Sequence, residues 1–327
     1  MIRREQYMEK IRPFIDKEIV KVLTGIRRCG KSIMLKLIQE ELITSGINKE
    51  QILDINFESR AVDYVTSVDI TYHEIKKTAE KINKKLYLFL DEIQELQGWE
   101  TMINSCMIDF DVDIYITGSN AKMLSGELAT YLAGRYVEIK IYPFSFREVT
   151  QALPEKTLQE AFQIYLTRGG MPFLYQFPMD EDSSKQYLED IYSSIILKDI
   201  AQRNHIRDIE LFKRIMLYML SNVGNVFSSG NITKYLKNEN RCLSAETIYN
   251  YIEHSKSACL THMVSREDII GKKILQFQEK VYVADHGLRE AIYGNNTRDI
   301  NQILENIVYM ELLRRGYEVT IGKIDCY

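Results

Sequence analysis

The 327-residue chain holds no apolar run near the ~20 residues that a membrane-spanning helix needs. Its amino terminus, Met1-Ile2-Arg3-Arg4-Glu5-Gln6, lacks the apolar core of a secretory signal. Both absences point to a cytoplasmic protein without membrane contact. The five cysteines (Cys29, Cys106, Cys242, Cys259 and Cys326) are odd in number and scattered, which excludes a disulfide framework and any metal-ligand spacing. That usage fits a reducing compartment. The chain also lacks an excess of positive charge. A net charge of -4 excludes a globally basic surface that coats nucleic acid and leaves room only for a local basic patch.

What remains is ordinary globular composition, 45% hydrophobic and 27% charged, over a length that suits two or three domains of roughly 150 residues. One stretch stands out, Gly25-Ile26-Arg27-Arg28-Cys29-Gly30-Lys31-Ser32. It matches G-x-x-x-x-G-K-[ST], a loop whose glycines let successive backbone N–H groups turn inward onto phosphate oxygens. Lys31 carries a compact charge to the β- and γ-phosphates and Ser32 offers a hydroxyl to Mg²⁺. Ile33 opens the helix whose positive end faces the same phosphates. The context is right: Ile19–Leu23 reads as a short buried strand, and Ile33, Leu37, Ile38 and Leu42 recur at helical spacing. Cys29 inside the loop reads either as an oxidisable thiol or as an incidental small residue.

Upstream, Arg3 to Phe14 reads as an amphipathic helix. Downstream, Ile52–Phe57 is a second strand and Asp69 to Asn83 a helix. Leu86–Leu90 is continuously apolar, as in a parallel strand buried on both faces. It ends in Asp91-Glu92, where ligands sit in parallel sheets. There Asp91 would hold the metal, commonly through water, and Glu92 would polarise the attacking water. Acidic residues also end strands simply to meet solvent, so the pair gains its weight from the matched loop. Asp113–Thr117 is a fourth strand ending in Gly118-Ser119-Asn120. A polar side chain there either reaches the γ-phosphate or merely makes a turn. Met123 to Leu132 reads as a helix and Tyr136 to Ile141 as a fifth strand. The alternation of strand and helix predicts an α/β fold, a parallel sheet with helices on both faces.

Five stretches together resemble a family of prokaryotic predicted ATPases in the AAA superfamily, close to the signal-transduction ATPases with numerous domains. They are Gly25–Ser32, Leu90-Asp91-Glu92-Ile93-Gln94, Thr117-Gly118-Ser119-Asn120-Ala121, Leu132-Ala133-Gly134-Arg135 and Tyr142-Pro143-Phe144-Ser145-Phe146-Arg147-Glu148. The last is the most specific. The resemblance covers nearly the whole chain. It implies strand order 5-1-4-3-2, a helical lid, a winged helix and a nuclease-like carboxyl-terminal region. Asn120 then takes a sensing role at the γ-phosphate. Arg135 becomes a γ-phosphate arginine, acting in cis or from a neighbouring copy, or else a surface ion pair. Gly170-Met171-Pro172 resembles the element that packs a lid against adenine, with Pro172 at the base, or is only a helix break.

The implied boundaries are an ATPase domain at 1–150, a lid at 151–206, a winged helix at 207–290 and the start of a nuclease-like α/β domain at 291–327. In the third segment a helix from Leu211 to about Asn222, short helices capped by Ser229 and Ser244, and two β-like stretches flanking Gly271-Lys272-Lys273 make up the winged helix. Lys234, Lys237, Arg241, Lys256, Lys272 and Lys273 supply phosphate contacts if it meets DNA. Such modules also contact proteins or close over nucleotide. In the last segment Glu305 stands on a helix ahead of a strand opening at Gly316, but no E-x-K pair follows, so nuclease activity is not expected.

The functional expectation is an ATP-binding, Mg²⁺-dependent ATPase acting as a slow conformational switch. Candidate partners are DNA, another protein and a second copy of the chain. The competing expectation is a nucleic-acid-binding regulator with ATP as a structural ligand; a small-molecule kinase is a third, and no acceptor-binding motif supports it.

Overall fold

The computed structural model describes residues 2–59, 67–119, 132, 134–176, 180–227, 244–265, 279–294 and 299–322. The chain divides into two compact units. One comprises Met1–Gly25 and Cys29–Ile141, the other Ile26–Arg28 and Tyr142–Tyr327.

The first unit is built on a five-stranded sheet of β1 (Val20–Thr24), β2 (Ile52–Asn56), β3 (Leu86–Asp91), β4 (Val112–Gly118) and β5 (Tyr136–Lys140). Its order is β2-β3-β4-β1-β5, the expected 5-1-4-3-2 read from the other edge, and every pairing is parallel. The apolar runs of β1 and β3 are buried along their whole length because both faces are covered. The edge strands β2 and β5 are only partly buried. Helices α1 (Glu5–Ile11), α2 (Lys31–Thr44), α3 (Val68–Ile82) and α4 (Trp99–Asp109) belong to this unit. Met34, Leu35, Ile38 and Leu42 form the buried stripe of α2, while Ile75 of α3 and Trp99, Ile103 and Cys106 of α4 are buried in the core with β3. The amphipathic stretch at the amino terminus is α1 followed by a 3-10 turn at Arg12–Phe14, since Pro13 has no N–H to continue an α-helix.

The amino-terminal end of the sheet hides a polar network that the hydrophobic pattern does not announce. Lys21 on β1 is fully buried. Its ammonium pairs with the Asp113 carboxylate, donates to Ile19 O at 3.0 Å and lies 4.6 Å from the Tyr115 ring centroid. Asp113 also accepts from Tyr115 Oη (2.8 Å) and from the Asp16 amide (3.0 Å), and Tyr87 Oη donates to Asp16 at 2.8 Å. Burial pushes the Lys21 ammonium below its ordinary pKa, and the Asp113 charge opposes this. The network therefore ties β1, β3 and β4 to the turn before β1.

In the second unit, α5 (Phe146–Ala152) and α6 (Leu158–Arg168) each begin with a full capping box, Ser145 with Glu148 and Thr157 with Glu160. The helix break at Gly169-Gly170 is a packing device. Gly170 N–H donates to Asp285 Oδ2 at 2.6 Å, and Gly170 O accepts from Phe144 N–H at 2.6 Å. A Cβ on Gly170 would stand 2.2 Å from Phe144 O, so no other residue fits. Pro172 opens a 3-10 turn, Pro172–Tyr175, and α7 (Glu181–Ser194) runs on into a π-helical stretch, Ile195–Gln202. There the buried Asp199 pairs with Arg27 at 2.9 Å.

Next come α8 (Ile209–Ser221), β6 (Val226–Phe227), α9 (Ala245–Ser257), β7 (Thr261–Ser265) and β8 (Glu279–Val283), with an antiparallel sheet in the order β6-β8-β7. Ser244 caps α9 as expected, and Asp208 caps α8. The short helix expected after Ser229 and the lysines at 234, 237, 272 and 273 lie outside the described residues. Helices α10 (His286–Tyr293) and α11 (Ile300–Arg314) complete the unit. Among the described residues no strand opens at Gly316. The Gly316 and Tyr317 amides turn back onto Leu313 O and Leu312 O to close α11; further on, Ile321 N–H bridges to Ser265 O, and Val319 and Ile321 pack against the cluster of Val264 and Tyr282.

Removing one member of a buried ion pair leaves the other charge unpaired, at a cost of about 3–5 kcal/mol. Asp113→Ala should therefore lower the unfolding free energy by about that amount in denaturant titrations. The double change Lys21→Met with Asp113→Asn should recover most of it. An Asp113→Ala protein as stable as wild type would contradict this account of the sheet.

Candidate nucleotide site

Strand β1 ends at Thr24, and the loop that follows turns on residues with positive φ: Gly25 (150°), Arg28 (68°) and Gly30 (101°). Gly25 is required by space. A Cβ there would lie 2.1 Å from Ile141 O and 3.0 Å from Cys29 Sγ. That same carbonyl accepts from Cys29 Sγ at 3.2 Å. Cys29 is buried, and burial pushes its thiol above the ordinary range, so it is a packing residue rather than a reactive one. Arg4, also buried, donates to Cys29 O at 3.1 Å and holds the outer side of the loop.

Gly30 is the N-cap of α2, so Lys31, Ser32 and Ile33 form its first turn with their N–H groups unused by the helix. Lys31 is buried. Its Nζ donates to Gly25 O at 3.2 Å and stands 3.5 Å from Glu92 Oε1. The parallel order puts the carboxyl end of β4 beside β1 and that of β3 beside β4, which brings Asp91, Glu92, Thr117 and Ser119 to the loop's end of the sheet.

The two carboxylates have different surroundings. Both Asp91 oxygens are engaged: Oδ1 by Thr117 Oγ1 at 2.5 Å and Oδ2 by Asn56 Nδ2 at 3.1 Å. Burial pushes the Asp91 carboxyl above its ordinary value, and the hydroxyls of Thr117 and Ser32 donating to it oppose the shift. Glu92 sits just past the strand at φ 53°, with its N–H donating to Thr117 Oγ1 at 2.9 Å. Its side chain faces Lys31 on one oxygen and Gln94 on the other.

The donor set fits Mg²⁺. Ser32 and Asp91 offer hard oxygens already within hydrogen-bonding reach of each other. Two protein oxygens suit a magnesium ion completed by phosphate and water. No cluster of three or more His, Cys, Asp or Glu side chains able to hold a metal by themselves occurs among the described residues.

Thr117, Asn56, Gln94 and Arg4 are site residues to which the sequence reading gave no role. Thr117 and Gln94 had a signal, since both stand in the stretches that carry the resemblance; Asn56 and Arg4 had none. Ser119 is buried with no hydrogen-bond partner for its hydroxyl. Asn120 lies outside the described residues.

Arg135 is not brought to this site. It precedes β5 at the amino-terminal end of the sheet, with Arg135 O accepting from Val20 N–H. At about 3.3 Å per residue its backbone lies about 17 Å from the loop along the strand. Pro172 belongs to the second unit. Glu305 accepts from Lys280 Nζ (2.7 Å) and Tyr282 Oη (2.6 Å) in that unit.

A family model described as an AAA domain matches residues 17–150, the stretch that carries the loop, the sheet and both carboxylates. An uncharacterized protein of Haemophilus influenzae is 38% identical over 329 residues, spanning 99% of this chain and 82% of the relative. The chain belongs to the AAA-type P-loop ATPases.

A second uncharacterized protein, from Methanocaldococcus jannaschii, is 29% identical over 310 residues, 91% of this ATPase-family chain and 67% of the relative. Residues 159–299 match a family described as a domain of unknown function. Among solved structures, the Aeropyrum pernix ORC1 protein in complex with DNA aligns over 97% of this chain and 95% of its own, at 13% identity and a TM-score of 0.41. No helix among the described residues is long and apolar enough to cross a membrane.

A ligand present at 100 times its Kd stabilises the folded state by about 2.7 kcal/mol. Saturating Mg·ATP should raise the melting temperature of this AAA-type protein by several degrees, and Lys31→Ala should lose most of the rise. A wild-type melting curve unmoved by Mg·ATP would remove the phosphate-binding role from the loop.

Proposed function

We propose that this protein hydrolyses ATP in a Mg²⁺-dependent reaction and works as a slow conformational switch. The observation that carries the reading is the Lys31–Glu92 pair at 3.5 Å, a buried cation of the phosphate loop in direct contact with the carboxylate that ends β3. Arriving phosphates take Lys31 as their counter-ion, and Glu92 is left to orient the attacking water. Asp91, with both oxygens held, stays fixed beside Ser32, and these two are the metal ligands. When bound, Mg²⁺ neutralises charge on the transferring phosphoryl group. The chain's own contribution is positioning: backbone N–H groups of residues 25–33 on the phosphates, Lys31 on their outer oxygens, and Glu92 on the water.

The buried hydroxyl of Ser119 stands at the same end of the sheet as Thr117, and Asn120 is the next residue in the sequence, which supports a sensing role there. Arg135 serves a neighbouring copy's site, a role that requires self-association. Pro172 remains the proposed adenine contact of a helical lid at 151–206. The order helix, short strand, helix and antiparallel pair in α8, β6, α9, β7 and β8 supports a winged helix at 207–290 as the DNA-associating module. The pairing of Glu305 with Lys280 and Tyr282 supports a structural rather than nuclease role for that residue.

The test is phosphate release from Mg·ATP by wild type and Glu92→Gln, alone and with double-stranded DNA. The amide keeps the shape of the carboxylate but loses its charge. Glu92→Gln should bind ATP as wild type does while turnover falls 100-fold or more, and DNA should change the wild-type rate. Equal turnover in both proteins would favour the other reading, a nucleic-acid-binding regulator with ATP as a structural ligand.

A further inference from the structure

Gln94 follows Glu92 by two residues, in the 3-10 turn Ile93–Glu95 that closes β3. Its Nε2 donates to Glu92 Oε2. Glu92 as a carboxylate can only accept, so the amide's nitrogen must face it and the carbonyl must face elsewhere. That carbonyl, Oε1, is buried and has no hydrogen-bond partner.

A glutamine kept for stability would have both ends satisfied, because a buried acceptor without a donor opposes folding. A methionine or leucine would fill the same space without that penalty. The residue therefore trades stability for one contact, and that contact is the carboxylate that orients water.

The trade makes sense once phosphate is bound. In the structure Glu92 faces Lys31 with Oε1 and accepts from Gln94 on Oε2. Phosphates draw Lys31 away, while Gln94, two residues on in the same turn, stays on Oε2. We propose that Gln94 is a positioning residue, whose amide N–H pins Glu92 Oε2 so that Oε1 stays aimed at the attacking water. The inference rests on the hydrolytic reading above. In the step it serves, the water oxygen bonds to the γ-phosphorus as the bond to the β–γ bridging oxygen breaks. ADP leaves with that electron pair, and the water proton passes to Glu92 Oε1 and on to solvent.

The experiment measures Mg·ATP turnover, KM and melting temperature for Gln94→Met and Gln94→Leu in the full chain. Each change is made both in wild type and in the Glu92→Gln background, with single-turnover assays for the slow proteins. The expected result is a kcat lowered at least tenfold with KM within twofold and a melting temperature no lower than wild type. In the Glu92→Gln background the second change should cost nothing more, since Gln94 acts through a carboxylate that is gone. A kcat within twofold of wild type overturns the inference while leaving the hydrolytic reading intact. So does a loss that multiplies with that of Glu92→Gln, or a fall in kcat that comes with a melting temperature several degrees lower in both variants. A wild-type protein without turnover overturns the hydrolytic reading, and the role of Gln94 with it.

Discussion

The carbonyl oxygen of Ile141 fixes the nucleotide site. Chain leaving β5 lies so close to the start of the phosphate loop that a side-chain carbon at Gly25 would meet that oxygen at 2.1 Å. The Ile141 amide is bonded to Thr24 O at 2.7 Å, so the strand pairing of β1 and β5 sets the approach. The same oxygen takes the Cys29 thiol, and Arg4 holds Cys29 from the other side. A loop pinned at both ends in this way presents its N–H groups in a fixed cup, and a preformed cup loses little entropy when phosphate arrives.

Charge is distributed around the cup with equal economy. One cation, Lys31, is buried at the centre. Of the two acids that meet it, Asp91 has its oxygens held by Thr117 and Asn56, whereas one oxygen of Glu92 faces Lys31, a partner that phosphate can draw away. Thr117 is the hinge between them, donating to Asp91 and accepting from the Glu92 amide. A fixed ligand beside a releasable one is what separate metal-holding and water-orienting duties require.

Much of this was legible in the residues. The phosphate loop follows from Gly25, Gly30, Lys31 and Ser32, and the buried strands from the unbroken apolar runs of β1 and β3. The acid pair follows from its place after such a run. Strand order came from the resemblance to AAA-type ATPases, since parallel pairing joins residues some 90 apart in sequence, such as Lys21 and Tyr115, with no local signal. The Lys21–Asp113 network was hidden for the same reason: a lysine inside an apolar strand reads as a blemish until Asp113 is seen beside it. Thr117 and Asn56 act through hydrogen bonds across strands, which spacing along one strand does not encode. Arg135 shows the converse. A motif-borne arginine was easy to find, but only the register of β5 on β1 reveals that its backbone stands at the end of the sheet away from the loop. Gly170-Met171-Pro172 read as a helix break or as an element packing a lid against adenine, and the contacts of Gly170 with Asp285 and Phe144 give that glycine a packing duty.

The account's central claim is that this cup recognises the β- and γ-phosphates of a nucleotide rather than its base or sugar alone. Equilibrium binding of Mg·ATP, ADP and AMP to the wild-type protein tests it most directly. The account predicts strong binding of ATP and ADP and loss of at least 100-fold for AMP, which leaves the Lys31 ammonium and the amides at the start of α2 without an anion. AMP binding as tight as ATP would contradict it.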